Sequence, residues 1–259
     1  MSLTGRSVSA CYKDLLEIDN RKSGVDSTLR AIKSGDGTSS AIHLSNGKVK
    51  VLPSADSTTT LDVQDKDGNS KLLLDTTNDY VKALGYHANT QYAYFGAVST
   101  ESIWAGNTNN THYMIPFQSN TSSALAPIGT STNPDTSLTI SSTGDDVVNC
   151  MWYVMDNITI DRVVWWSGAG SGTADTTRCH LMQYDIVSDN SSTSGDLSNG
   201  TVLADGSDVT NAGNEQSYYQ QMTVQSANVD AGKAVFFCFR KDGTNSDYSL
   251  RATIKFHLR

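Results

Sequence analysis

The sequence predicts an all-β protein made of an N-terminal extended arm, a β-hairpin shaft and a C-terminal jelly-roll-like β-sandwich. Ser, Thr, Asn, Asp and Gly dominate the 259 residues, a composition that favours short strands and polar turns over helices. Alternating apolar and polar residues flank tight-turn sequences in the first third of the chain. Six runs rich in β-branched and aromatic residues follow residue 146, as expected for a sandwich domain.

The clearest hairpin lies within residues 61–85. Residues 61–64 alternate apolar and polar side chains, Leu72 and Leu74 resume the alternation, and Lys66-Asp67-Gly68-Asn69 supplies turn residues that tolerate positive φ. A second turn signal, Asn46-Gly47, predicts a similar hairpin unit. Because a lone hairpin is marginal in water and nothing nearby in sequence covers its apolar face, other copies of the chain should cover it, as in a homotrimer.

Two stretches of the sequence resemble phage proteins. Residues 61–81, LDVQDKDGNSKLLLDTTNDYV, resemble the shaft units of bacteriophage fibre proteins, and residues 15–52 resemble the attachment segment of marine phage tail and head fibres. The resemblance implies a structural protein of the virion, assembled in the host cytoplasm. Its arm would bind another virion protein, such as the portal, tail or capsid, and its head would bind a glycan or protein of the host surface. The alternative is a capsid decoration or vertex protein without receptor binding.

The expected boundaries follow the changes in composition along the chain. They are a virion attachment arm over 1–27, a hairpin shaft over 28–85, a neck with a long polar loop over 86–145, and the sandwich head over 146–259. The tract 120–146 is nearly all turn residues, and loops of that length often have a functional or partner-contact role.

Within the head, strand periodicity predicts where side chains point. The dense apolar run 234–239 is typical of a central strand that is covered on both faces. Trp165 and Trp166 are adjacent, so one indole should be buried while the other meets a second surface. For the exposed indole, an interface with a sister subunit and a saccharide-stacking platform both remain open.

Five residues form the candidate binding surface. The tract 188–214 has little periodicity and predicts a long polar loop on a rigid scaffold, where binding residues tend to lie. Its amide and carboxylate groups supply hydrogen bonds, and the neighbouring aromatic residues supply flat contacts for a sugar ring. The candidates are Trp166, Tyr218, Tyr219, Asn199 and Asp205.

No motif predicts an enzyme, a cofactor or a metal. His180 beside Cys179 is best interpreted as a packed strand histidine, because no orienting partner is identifiable. The segment 65–69 resembles the start of a calcium loop, but Thr76 stands where that loop needs a bidentate Glu. A third class, a polysaccharide depolymerase, would need paired carboxylates, and no spacing singles out a pair among Asp175, Asp185 and Asp189.

Charge and hydropathy exclude further classes. The net charge of −8 and the lack of clustered Lys and Arg argue against nucleic-acid binding. No run of about 18 apolar residues predicts a membrane span, and the N-terminus lacks the apolar segment of a secretory signal. The 4 cysteines have no metal-site spacing, and a cytosolic origin favours free thiols.

Overall fold

The computed structural model describes residues 15–20, 23–97, 107–118, 125–141, 144–170, 174–188, 191–243 and 248–259. The chain divides into two compact units, Met1–Ala88 and Asn89–Arg259. Antiparallel strands make up nearly all of the regular structure, which confirms the all-β prediction. The described residues contain one helix, α1 (Gly144–Cys150).

The first unit consists of two four-stranded antiparallel sheets, in each of which sequential strands are neighbours. The strands of the first sheet are β1 (Leu16–Ile18), β2 (Arg30–Ser34), β3 (Ser39–Leu44) and β4 (Val49–Val51). The strands of the second sheet are β5 (Leu61–Gln64), β6 (Ser70–Asp75), β7 (Tyr80–Ala83) and β8 (Tyr86–His87).

Both predicted hairpins are present. In the β5–β6 turn, Asp65 N donates to Asn69 O over 3.0 Å, and Gly68 adopts the positive φ of 83° that glycine permits without steric cost. In the β3–β4 turn, Ser45 N donates to Lys48 O over 2.9 Å. The strands β7 and β8 were not predicted, because β7 consists of only four residues between turns.

The β5–β7 sheet has one apolar face, set by its register. Residues that lie directly opposite in an antiparallel pair share a face. Leu61 pairs with Leu74, Val63 with Leu72, and Leu74 with Val81. Val63 is 48% exposed and Leu72 is 40% exposed. Among the described residues of the first unit, no buried hydrophobic cluster forms, so those residues provide no cover for this face.

Part of the predicted attachment arm is described. Residues 1–14 and 21–22 lie outside the described residues. Leu16–Ile18 forms β1, which pairs with β2 through Leu16 opposite Ser34 and Ile18 opposite Ile32. Near the end of the arm, the Asp26 carboxylate accepts a hydrogen bond from Thr28 N at 2.8 Å, which stabilises the turn before β2. The end of the arm is therefore a strand of the first sheet.

The second unit is a sandwich of a five-stranded and a seven-stranded sheet. Its eight principal strands are β9 (Thr90–Ala97), β10 (His112–Ile115), β12 (Ile158–Ala169), β13 (Thr176–Ile186), β14 (Leu197–Asp205), β16 (Gln216–Gln221), β19 (Ala234–Lys241) and β20 (Tyr248–Leu258). Four short strands complete the sheets: β11 (Trp152–Tyr153), β15 (Val209–Thr210), β17 (Thr223–Val224) and β18 (Asn228–Val229).

The eight principal strands pair in nested order. From the outermost pair of the list inward, β9 pairs with β20, β10 with β19, β12 with β16, and β13 with β14. One long hairpin folded over into two sheets has this pairing, which is the jelly-roll arrangement. The strands β9 and β10, from the region assigned to the neck, take part in it.

The main core lies between the two sheets. Phe95, Trp165, Phe237 and Tyr248 are almost completely buried there. Trp165 Nε1 donates to Gln220 Oε1 over 3.1 Å, so the buried indole keeps a hydrogen-bond partner. The neighbouring Trp166 points the other way and is half exposed, as strand alternation predicted.

A second apolar cluster covers the outer face of the seven-stranded sheet. Phe236 and Tyr184 from the sheet pack there with Ile128 from the segment 125–141 and with Val147 from α1. The tract 120–146 was expected to be a loop for function or partner contact. Its described part is instead a structural layer, because its few apolar residues face the sheet. The prediction that 234–239 is covered on both faces is confirmed.

The prediction of a long binding loop over residues 188–214 also needs correction. Eleven of its 27 residues form β14 and β15, and Leu197 and Leu203 are buried. Asn199, with φ of 51°, and Gly200 lie inside β14, where the register with β13 shifts and breaks the alternation that would mark a strand. A Cβ at Gly200 would lie 2.8 Å from Thr136 Cα, so only glycine allows this approach.

Three cysteines are described, and all are free and buried: Cys150, Cys179 and Cys238. Burial raises the pKa of Cys150 to about 12 and holds the pKa of Cys179 well above its ordinary value. These thiols behave as core residues, since the reactive thiolate form is disfavoured.

Candidate binding face

The outer face of the five-stranded sheet carries the candidate site. Along β9, β12, β16 and β20, one set of alternate residues enters the core and the other set points outward. We call the outward set the outer face. Its register places Tyr219, Trp166 and Arg251 in one row, and Arg162, Lys255 and Tyr92 in another.

Trp166 and Tyr219 form the aromatic centre of the outer face. Their ring centroids are 4.7 Å apart with the planes inclined by 53°, and the side chains are 50% and 48% exposed. Arg162 Nη2 donates to Tyr219 Oη over 3.1 Å, which fixes the phenol. The two rings therefore offer a partly rigid apolar surface beside a cation.

Further aromatic and cationic groups extend the outer face across β20 to β9. Tyr92 and Tyr94 are exposed, and the Arg251 guanidinium carbon lies 5.8 Å from the Tyr94 ring centroid. Contacts of this kind between a cation and an aromatic ring are attractive. Lys255 lies opposite Tyr92 in the register. The chain carries a net charge of −8, yet this face concentrates cations.

Two shallow clefts open on the outer face, and Trp166 lines both. One has a volume of about 330 Å³ and also contacts Ser217, Ser249 and Arg251. The other has a volume of about 320 Å³ and contacts Arg162, Tyr92 and Lys255. Pockets that bind small molecules begin at about this size, and they combine apolar walls with a few placed polar groups.

The structure brings together only two of the five sequence-predicted binding residues, Trp166 and Tyr219. Tyr218 faces away from them, and its hydroxyl accepts a hydrogen bond from Ala212 N at 2.8 Å. Asn199 and Asp205 lie on β14, in the other sheet. Asn199 Nδ2 donates to Asp185 Oδ2 over 2.8 Å, so it anchors a neighbouring strand.

Asp205 belongs to a polar cluster that is only partly buried at Asp205 and Arg178. Arg178 clamps its carboxylate with Nε to Oδ1 at 3.1 Å and Nη2 to Oδ2 at 2.7 Å. His180 Nε2 lies 3.1 Å from Asp205 Oδ1, and the His180 ring meets the His112 ring edge-on at 5.0 Å. Both imidazoles are fully buried, and burial lowers the pKa of each to about 4. Cys179 faces the core on the opposite side of β13, so it forms no pair with His180.

The carboxylates considered for a depolymerase do not converge. Asp175 lies just before β13 and Asp185 near the end of that strand, a separation of about 30 Å at the usual rise per residue. Glycosidase carboxylates lie about 5–9.5 Å apart. Asp185 also pairs with Lys233, and Asp189 lies outside the described residues.

The calcium-like segment acts as a turn. Asp65 Oδ1 accepts hydrogen bonds from Asp67 N and Asn69 N, both at 2.9 Å, and Lys71 lies 2.9 Å from Asp65 Oδ2. The Lys71 ammonium and the turn amides lower the pKa of Asp65 to about 2. In the part of the chain that the structure describes, no group of three or more His, Cys, Asp or Glu could hold a metal ion.

Sequence reasoning missed Tyr92, Tyr94, Arg162, Arg251 and Lys255. The signal was present in the alternation of each strand, for example in residues 91–96, where Tyr92 and Tyr94 are two residues apart and so point to the same face. What was not visible was the register that places three distant strands side by side.

No protein-family model matches the chain, and a search of curated proteins found no similar sequence. Among the described residues, no helix is both long and apolar enough to span a membrane.

Proposed function

We propose that the chain is a structural protein of a phage virion: a trimeric fibre anchored by its N-terminal arm, whose jelly-roll head binds the host surface. One observation carries the proposal. Among the described residues of the first unit, none buries the apolar face of the β5–β7 sheet, and other copies of the chain would supply that cover. The sequence over residues 61–81 resembles a fibre shaft at the same place.

The head supports the recognition part of the proposal. Its two-sheet core makes a rigid scaffold, and its outer face exposes four aromatic side chains and three cations. Under the alternative, a capsid decoration or vertex protein, the same fold would attach to the shell and this face would have no receptor.

The shaft gives a direct test of trimerisation. Leu72→Lys places a charge on the apolar face of the β5–β7 sheet, whereas Gln64→Lys changes an exposed side chain of the same hairpin that already contacts Asp62. Light scattering should give three times the monomer mass for the parent chain and for Gln64→Lys, and the monomer mass for Leu72→Lys. A parent chain that is a stable monomer would contradict the proposal.

The arm gives the test of attachment. Deleting residues 1–14 leaves β1 in place, so the melting temperature of the purified chain should change little. Incorporation into phage particles should be lost, because the proposed contact with the portal, tail or capsid is removed. Particles that still carry the truncated chain at full occupancy would show that residues 1–14 are no attachment signal. Particles that lose the chain but adsorb normally to host cells would favour the decoration protein.

A further inference from the structure

We propose that the outer face binds an acidic saccharide, with sugar rings stacked on its aromatic side chains and carboxylate or phosphate groups held by its cations. The inference rests on the proposed host-surface recognition and names the ligand class. Its stacking surface is Trp166 with Tyr92 and Tyr94, and its cations are Arg162, Arg251 and Lys255.

Charge complementarity predicts that the ligand is negatively charged. Three cations occupy outward positions on β12 and β20, in a chain whose net charge is −8. Among the described residues that line the two clefts, none is a carboxylate. Asp161, in the bulge of β12, is already paired with His257 Nδ1 at 2.9 Å. Among the described residues, Arg162 and Arg251 contact the rings of Tyr219 and Tyr94 and form no ion pair with a carboxylate, so an anion on this face would meet their two guanidinium groups.

The apolar groups set the ligand's shape. Exposed Trp and Tyr rings present flat surfaces with polar edges, which suit the alternating C–H face and hydroxyl rim of a pyranose ring. Ser217 and Ser249 at the first cleft, and Thr253 at the second, supply hydroxyl groups that both donate and accept hydrogen bonds.

The spacing sets the ligand's length. Trp166 and Arg162 are four residues apart on one strand, so the two clefts extend over about 13 Å along β12. That span fits an oligosaccharide better than a single sugar. A nucleic acid also combines anions with stackable rings, but it is bound by grooves with many more clustered cations than these three.

Arg162 and Arg251 are suited to different positions of the ligand. Arg162 donates a hydrogen bond from Nη2 to Tyr219 Oη, which orients the phenol ring. Because a guanidinium has five N–H groups, the others can at the same time donate to an acid group of the ligand. Arg251 lies in the same row as Trp166, so a sugar stacked on the indole brings its acid group to this guanidinium. Planar guanidinium groups bind carboxylate and phosphate in the same forked geometry.

The test uses the full chain and oligosaccharides of one length, followed by tryptophan fluorescence and calorimetry at low salt. The probes are hexagalacturonate, maltohexaose carrying phosphate groups, neutral maltohexaose and an oligothymidylate. We expect the carboxylated or phosphorylated probe, or both, to bind at least about tenfold more tightly than the neutral one. Raising the salt to 0.5 M should weaken binding several-fold, since exposed charges are screened.

The variants assign the binding to the outer face. Trp166→Ala should weaken binding about tenfold, as for loss of a central aromatic contact, and Arg251→Gln should weaken it several-fold. Tyr153→Ala is the matched control, because Tyr153 is equally exposed on β11 of the other sheet, and it should bind like the parent. Melting temperatures should be unchanged in all three variants.

Four results would overturn the inference: equal binding of neutral and acidic probes, tightest binding of the oligothymidylate, equal effects of Trp166→Ala and Tyr153→Ala, or loss of trimer mass in Trp166→Ala. The last would make the outer face an interface between copies.

Host-cell adsorption, measured in parallel, separates this inference from the proposed function. A variant that loses oligosaccharide binding but adsorbs normally would refute the role of the outer face in host recognition and leave the saccharide site standing. A folded variant that binds every probe normally but no longer adsorbs would refute the saccharide inference and leave the recognition role standing.

Discussion

Lowering the pH from 7.5 to 4.5 is expected to remove several kcal/mol from the free energy of unfolding of the second unit. His112 and His180 are fully buried, and burial lowers the pKa of each imidazole to about 4. Their side chains meet edge-on between β10 and β13, where Arg178 and Arg240 add positive charge that disfavours a proton further. Asp205 acts in the opposite direction on His180, but the burial effect is larger.

The direction follows from comparing folded and unfolded chains. An exposed histidine has a pKa of about 6.5. Between pH 6.5 and 4, His112 and His180 are therefore protonated in the unfolded chain but remain mostly neutral in the folded unit. Stability is therefore complete above about pH 6.5 and falls as the pH approaches 4. Each histidine contributes up to about 3 kcal/mol of this loss, from about 1.4 kcal/mol per pKa unit.

Urea unfolding at several pH values between 7.5 and 4.5 measures the effect, and His112→Leu provides the matched variant. In the described part of the chain neither ring nitrogen of His112 makes a well-aligned hydrogen bond, and the Gly129 backbone offers at most a weak one, so leucine removes a titrating group at little cost in bonding. The variant should match or exceed the parent at pH 7.5 and lose about half as much stability on acidification. A parent whose stability is the same at both pH values would contradict the assignment.

How far the sequence predicts this fold depends on how local each element is. The β5–β6 hairpin was predictable, because its turn and its alternation lie within fifteen residues. The strand β14 was not, because its register shifts at Asn199 and Gly200 replace alternation by turn residues. Gly200 is there for the close approach of residue 136, which no local pattern reveals.

The same distinction applies to the candidate site. Adjacent tryptophans on a strand predict one buried and one exposed indole, and the structure has that arrangement. The cations near Trp166 could not be placed, because Arg251 reaches it through the pairing of β12 with β20, strands that are distant in sequence. Polar composition also led to a wrong prediction, since it marked β14 as a binding loop, although polar residues also occur on the exposed positions of a strand.

Phe236→Ala and Phe237→Ala are each expected to lower the free energy of unfolding by about 3–5 kcal/mol, the usual range for removing a buried phenylalanine ring. The two residues are neighbours on β19 and face opposite sides of the seven-stranded sheet. Phe237 packs between the sheets, 6.0 Å from Phe95 by ring centroids. Phe236 packs outward, 5.8 Å from Tyr184, under the layer formed by the segment 125–141 and α1.

Comparison of the two variants decides whether that outer layer is structural. Tyr184 Oη donates to Asp135 O over 2.8 Å, which ties the segment to the sheet, and Phe236 is as completely buried as Phe237. Val148→Ala on the exposed side of α1 is the control and should cost no more than about 0.5 kcal/mol. Chemical denaturation measures all three variants. If Phe236→Ala costs as little as the control while Phe237→Ala costs several kcal/mol, the outer segment contributes no core. The polar tract would then be available for partner contact, because its removal from the sheet would cost the fold little.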